Sequence, residues 1–317
     1  MSLKIKKKNI NHIKNAPEDR IFTIFAYVIV FIIAFLCFYP LWYVIINSFV
    51  TGDAARAGVY IFPKLSDIYW GTYQSVFEQG TIFHGMMISG LRVFTTVTLQ
   101  TLFSAMFAFL VSRPQLPFRK FIYRYAIVTM YVGGGLIPWF IVMRFYGLTN
   151  NFATYVVPGL LSVFNVILIK TYMESAIGND LDDAARIDGA GFVTIFFKIM
   201  LPLSKPVLAT CALFTAVGVW NTFFDNYLLV QNPRLQTVQM ALFNFINQAD
   251  AMAKAMRNVA LGGGSVSRDQ IEALRLNMTS SSVRNVSTIL AMVPMMLVYP
   301  FLQKYFVKGL MLGAIKG

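Results

Sequence analysis

"NDLDDAARIDGAG", residues 179–191, packs four aspartates (Asp180, Asp182, Asp183, Asp188) and Arg186 into a chain that is otherwise strongly apolar. Its local chemistry reads as a short helix. Asp180 suits the N-cap, and Asp182 and Asp183 fall in the first turn, where carboxylates complement unpaired N–H groups. Ala184, Ala185, Arg186 and Ile187 continue the helix, and Gly189 suits the left-handed residue that ends one. A second helix, "FVTIFFKIM" (192–200), follows and stops at Leu201–Pro202. The alanines leave a small-residue face on which another protein could pack closely. A generic water-exposed loop would show the same local propensities.

The surroundings say where this hydrophilic helix lies. The chain has 317 residues, of which 57% are hydrophobic and 13% charged. Soluble domains carry about 25% charged residues. The apolar residues come in runs near the roughly 20 needed to cross a bilayer. Six spans are expected, at about 22–49, 86–111, 122–144, 152–173, 203–229 and 284–303. An even number places both ends on one side. The N-terminus, the 112–124 segment, the stretch from Lys170 to Lys205 and the C-terminal tail together hold 17 of the 27 Lys and Arg. Basic loops are retained in the cytoplasm, so residues 179–191 are expected there. The first apolar run is longer than the roughly 7–15 residues of a cleavable signal core and reads as a retained span. The net charge of +13 is then a topology signal, and no nucleic-acid partner is implied.

Two spans are punctuated. "MYVGGGLIPWF" (130–140) sets three glycines and Pro138 in the third, which fits either a packing kink or a moving hinge. Two loops face outward. Residues 50–85 are rich in aromatics. Residues 230–283 place Leu235, Val238, Leu242, Phe245, Ala249 and Met252 at helical spacing. "LGGGS" (261–265) then breaks the helix, and Ser267 with Gln270 fits a capping box. This outer helix serves either a partner or as a lid on the protein's own spans.

Little points to covalent chemistry. Cys37 and Cys211 lie inside apolar runs and read as packing thiols rather than a disulfide. His12 and His84 lie far apart without ligand-like neighbours, so no metal site and no histidine-based triad is expected. The glycine runs at 133–135 and 262–264 lack the lysine that follows in a phosphate loop. No cofactor is therefore expected on this chain.

From Asp183 the chain runs D-A-A-x-x-x-G-x9-I-x-L-P, through Asp183, Ala184, Ala185, Gly189, Ile199, Leu201 and Pro202. This resembles the E-A-A-x-x-x-G-x9-I-x-L-P signature of permease subunits of bacterial ATP-binding-cassette (ABC) importers, with aspartate in place of glutamate. "LPLSKPVLATCALFTAVGVWNTFFDNYLLV" and the ending "VYPFLQKYFVKGLMLGAIKG" resemble the maltose-type carbohydrate group and its oligosaccharide and polysaccharide branch. The resemblance implies an all-α membrane protein with six transmembrane helices of the type I ABC importer permease fold and both termini cytoplasmic. It further implies a single permease domain over 1–317, with a cytoplasmic segment at 1–21, core spans over 84–303, a coupling segment at 175–202 and an extracellular loop at 230–283. Asp182, Asp183, Ala184, Ala185, Arg186, Asp188 and Gly189 would couple to the ATPase. The implied partners are a second, different permease chain, two copies of an ABC ATPase and an extracellular solute-binding protein. The cargo would be an oligosaccharide, and the location the bacterial cytoplasmic membrane, in contact with lipid.

A sugar path needs hydroxyl partners and aromatic faces inside the spans. Trp220, Asn221, Phe224 and Asp225 share a helical stripe in the fifth span. Ser162 and Asn165 lie one turn apart in the fourth. The alternatives are an aromatic belt at the outer interface for the first group and interhelical hydrogen bonds for the second. Arg92, in the outer third of the second span, calls for a carboxylate partner. An ABC permease for a non-sugar solute would keep the signature but not the ending. An ATP-independent transporter or a membrane enzyme acting on lipid-linked sugar would leave the signature unexplained.

Overall fold

In hydrocarbon every backbone N–H and C=O must be satisfied within the segment that carries it, and this chain meets the demand with helices. The computed structural model describes residues 17–50, 62, 68–78, 80–177, 180–260 and 280–314. Among them the only β feature is an isolated bridge between Val50 and Ile68. The expectations for the first 16 residues, for "LGGGS" and for the capping box lie outside the described residues, as do residues 51–61, 63–67 and 79 of the 50–85 loop.

In chain order the helices are α1 (Pro17–Ser48), α2 (Gly71–Glu78), α3 (Thr81–Ser112), α4 (Arg119–Tyr131), α5 (Leu136–Phe145), α6 (Ala153–Gly159), α7 (Val163–Ile177), α8 (Asp180–Ile187), α9 (Phe192–Leu203), α10 (Lys205–Asn221), α11 (Phe224–Leu229), α12 (Val238–Ala260) and α13 (Ser280–Ala314). Among the described residues, three segments are long and apolar enough to cross a membrane alone: Arg20–Ser48, Thr81–Ser112 and Ser281–Val298. Two bent pairs, α6 with α7 (49°) and α9 with α10 (77°), raise the number to five if each pair is one span. The expected third span, 122–144, falls on α4 and α5, of 13 and 10 residues. The glycine run separates them, with Gly135 at φ +82°. Pro138 sits in the first turn of α5, where a missing N–H costs no helical hydrogen bond.

α3 is the axis of the bundle. It packs against α7, α10 and α12, and its 32 residues make a rod about 48 Å long. Near its C-terminal end a buried cluster gathers Ala105, Ala108 and Phe109 with Ile169 of α7, Ala185 of α8, Phe196 of α9 and Cys211 of α10. Near its N-terminal end a second cluster joins Ile82 to Val238, Leu242 and Phe245 of α12, Trp220 of α10 and Val286 of α13. α12 is thus a lid on the protein's own spans over its first turns. Leu235 precedes it in a short 3-10 turn. Gly85 makes this contact possible, because a Cβ there would lie 3.0 Å from both the backbone N and the Cα of Val238.

Packed against α13 and buried at Asn47 and Ser48 near its C-terminal end, α1 is otherwise exposed almost throughout residues 20–40, as fits lipid or a neighbouring subunit. Cys37 lies exposed on it, unlike the packing role expected from its apolar run; Cys211 is buried, and both are free thiols.

Candidate functional site

α8 has two faces. Asp182 and Ala185 point into the protein, 2% and 8% exposed. Leu181, Asp183, Ala184, Ile187 and Asp188 point out, and Ile187 is 87% exposed. A helix of eight residues is too short to persist alone, so its contacts must hold it. Ala185 packs into the cluster around Phe109 and Phe196. Asp182 Oδ2 receives Arg113 Nη1 at 2.6 Å and Arg186 Nε at 3.1 Å. Arg113 stacks over Phe109, 4.4 Å from the ring centroid, and Arg186 over Phe192 at 4.7 Å. Burial draws the Arg113 guanidinium below its ordinary value, and the Asp182 carboxylate opposes that pull.

The C-terminal end of α8 is a Schellman turn. Gly189 N–H donates to Arg186 O and Ala190 N–H to Ala185 O, both at 2.9 Å. Gly189 adopts φ +82°, the left-handed region its sequence position predicts. The chain then reverses into α9, whose Phe192 and Val193 are exposed beside α8. The coupling residues named from the sequence therefore divide. Asp183, Ala184 and Asp188 lie on the outer face. Asp182 and Ala185 lie on the inner one, Arg186 flanks it, and Gly189 makes the turn.

Midway along α3 a polar network crosses three helices. Gln100 Oε1 accepts from Thr215 Oγ1 and, at 3.4 Å, from Asn165 Nδ2, which also donates to Thr215 Oγ1 at 3.2 Å. Gln100 Nε2 donates to Gly159 O at the bend between α6 and α7. Ser162 caps α7 by accepting from Asn165 N–H at 3.3 Å, and its own N–H donates to Ser104 Oγ at 3.2 Å. Interhelical hydrogen bonds in membranes contribute about 0.6 kcal/mol each, so this network registers the helices.

The stripe on α10 and α11 is also divided. Trp220 is buried, and its indole N–H donates to Ala291 O of α13 at 3.0 Å. Asp225 forms an ion pair with Arg92, which supplies the carboxylate that Arg92 calls for. Arg92 Nη1 also donates to Thr222 O at 3.1 Å, and the guanidinium lies 4.6 Å from the Tyr155 ring centroid. Thr222 and Phe223 interrupt the helix between α10 and α11, so Arg92 closes a backbone carbonyl freed by the break. Asn221 and Phe224 remain exposed. His84 Nε2 lies 2.8 Å from Arg234 O, and no cluster of three or more metal-ligating side chains occurs among the described residues.

Sequence reasoning missed Arg113, Gln100 and Thr215 as site residues. Arg113 had a signal, a lone cation ending an apolar run beside a proline. Gln100 and Thr215 had only their polarity within a span.

The binding-protein-dependent transport system inner membrane component family matches residues 100–312. The chain is 29% identical over 312 residues to protein LplC of Bacillus subtilis, covering 97% of this chain and 99% of that one. It is 31% identical over 304 residues to the polygalacturonan/rhamnogalacturonan transport system permease protein YtcP of the same organism, covering 95% and 100%. A chain in the crystal structure of a bacterial ABC transporter involved in the import of the acidic polysaccharide alginate superposes with a TM-score of 0.78 at 27% identity, covering 92% of this chain and 98% of that one. A multi-pass membrane protein whose match to the family spans most of its length, this chain belongs to the binding-protein-dependent transport system inner membrane components.

Proposed function

We propose that this chain is one of two different permease subunits of a bacterial ABC importer that carries an oligosaccharide across the cytoplasmic membrane. In this reading the chain makes six spans, with both termini and α8 in the cytoplasm and α12 outside, beneath a solute-binding protein. Two copies of a separate ATPase hold ATP and Mg and supply the energy. The chain shapes the path and transmits motion, and makes or breaks no covalent bond.

The observation that carries the reading is the two-faced α8. Its inner face is fastened to the protein's own helices by Ala185 and Asp182. Its outer face offers apolar Leu181, Ala184 and Ile187 flanked by Asp183 and Asp188. A polar, exposed helix that is rigidly held from behind is suited to dock in a groove with an apolar floor and a basic rim. The relatives YtcP and a Bacillus subtilis melibiose/raffinose/stachyose import permease protein, MelC, are named for glycans, which supports an oligosaccharide cargo. Asn221 and Phe224, exposed at the break in the fifth span, would face the path. Trp220, Asp225, Ser162 and Asn165 would hold its wall from behind.

Co-purification tests this. Ile187→Glu puts a charge on the outer face and touches nothing in the core. The ATPase is expected to co-purify with the wild-type chain and to be lost from the Ile187→Glu variant, with the variant's own thermal unfolding unchanged. Retention of the ATPase by that variant would remove α8 as the docking element.

A further inference from the structure

We propose that Arg113 is the positioning residue that makes α8 and α3 move as one body, so that motion entering at α8 reaches the far end of α3. The proposal rests on the docking role of α8. Its basis is the arrangement of charge where the two helices meet. Arg113 caps the C-terminal end of α3, its N–H donating to Leu110 O at 3.2 Å, and it is 4% exposed. Asp182 lies in the first turn of α8. A cation belongs at the partially negative end of one helix and an anion at the partially positive start of the other. The Arg113–Asp182 pair therefore joins two helix ends that attract it separately.

The joint has direction, which the packing of Ala185 lacks. One carboxylate oxygen, Asp182 Oδ2, receives both guanidinium groups. Asp182 Oδ1, Arg113 Nε and Arg186 Nη2 are buried with no hydrogen-bond partner. A buried pair is weak evidence of stabilisation; what it supplies here is a directed contact between one oxygen and two guanidinium groups. Phe109, under Arg113, is 5.4 Å from Phe196 of α9 between ring centroids. The guanidinium thus sits where α3, α8 and α9 converge.

The opposite end of α3 holds the elements such a rod would move. Arg92, 21 residues before Arg113 and about 30 Å away along the helix, pairs with Asp225 of α11 and holds the carbonyl of Thr222 at the helix break. One turn further on, Ser89 Oγ accepts from Val238 N–H at 2.9 Å and anchors the start of α12. A rigid α3 joined at Arg113 connects α8 to the break in the fifth span and to the outer lid.

Arg113→Ala leaves Asp182 paired with Arg186 and leaves the outer face of α8 untouched, so the complex should still assemble. The test is hydrogen exchange on the assembled permease–ATPase complex, with and without ATP plus vanadate. In the wild type the nucleotide should change exchange at α8 and also at residues 222–238. In Arg113→Ala the response at α8 should persist and that at 222–238 should be lost. Arg113→Lys, which keeps a cation at the C-terminal end of α3 facing Asp182, should retain it, whereas Arg113→Met, which keeps the stem over Phe109 without the charge, should lose it, a difference that loss of general packing would not predict. A wild-type-like response at 222–238 in Arg113→Ala overturns the proposal, as does absence of that response in the wild type. Should Arg113→Ala not assemble, Arg113→Met decides, and a wild-type-like response at 222–238 in that variant overturns the proposal. Failure of the wild-type chain to hold the ATPase would instead remove the docking role itself.

Discussion

Replacing Gly189 isolates one physical term. Its backbone is at φ +82°, and a Cβ built there meets nothing within 4 Å. Gly189→Ala therefore adds no clash, only the cost of a left-handed L-residue, about 1–2 kcal/mol. The turn it sustains consists of the Gly189-to-Arg186 and Ala190-to-Ala185 hydrogen bonds. A penalty of that size raises the frayed population of the turn about 5–30-fold. Amide exchange of Ala190, followed by mass spectrometry on the purified chain, should accelerate by that factor. Gly189→Asn should fall between glycine and alanine, because Asn tolerates this region better. In the assembled complex, ATPase stimulation should fall in the same order. Equal protection in the alanine variant and the wild type, or faster exchange in the asparagine variant than in the alanine one, would mean that the left-handed backbone at position 189 does not hold the turn.

Three further outcomes are expected. Asp225→Ala strands the buried Arg92 guanidinium and should cost about 3–5 kcal/mol, seen as a lower thermal midpoint in detergent; Arg92→Met with Asp225→Leu should recover most of it. Gly85→Ala forces a Cβ against the Val238 backbone and should cost about 1–3 kcal/mol through overpacking, with protease sensitivity rising at the start of α12. Trp220→Phe keeps the ring but loses the hydrogen bond to Ala291 O, a loss of about 0.5–1.5 kcal/mol measurable by thermal unfolding.

The parts of the molecule legible in the sequence are those governed by local chemistry. The aspartate-rich start, the alanines and Gly189 mark α8 and its turn in the sequence, although contacts with α3 and α9 hold so short a helix in place. The helical spacing from Val238 onward finds α12, and the glycine run at 133–135 marks the gap between α4 and α5. Arg92 advertised a carboxylate because an intramembrane cation needs one. Which carboxylate answers it depends on where α11 lies after the break at Thr222. The same limit separates Ala184 from Ala185. The two are equivalent in composition, and only the approach of α3 and α9 turns one inward. Trp220 reads as an aromatic face beside a path until α13 supplies Ala291 O, and Gln100, Asn165 and Thr215 become a network only once three helices meet.

An ATPase that engages this chain at α8 must come within reach of Ile187. A photo-crosslinking residue at Ile187, with a second at Lys254 on the exposed side of α12 as control, tests it in native membranes. A crosslink to the ATPase is expected from position 187 and none to it from position 254. A crosslink to the ATPase from 254, or none from 187, would contradict it.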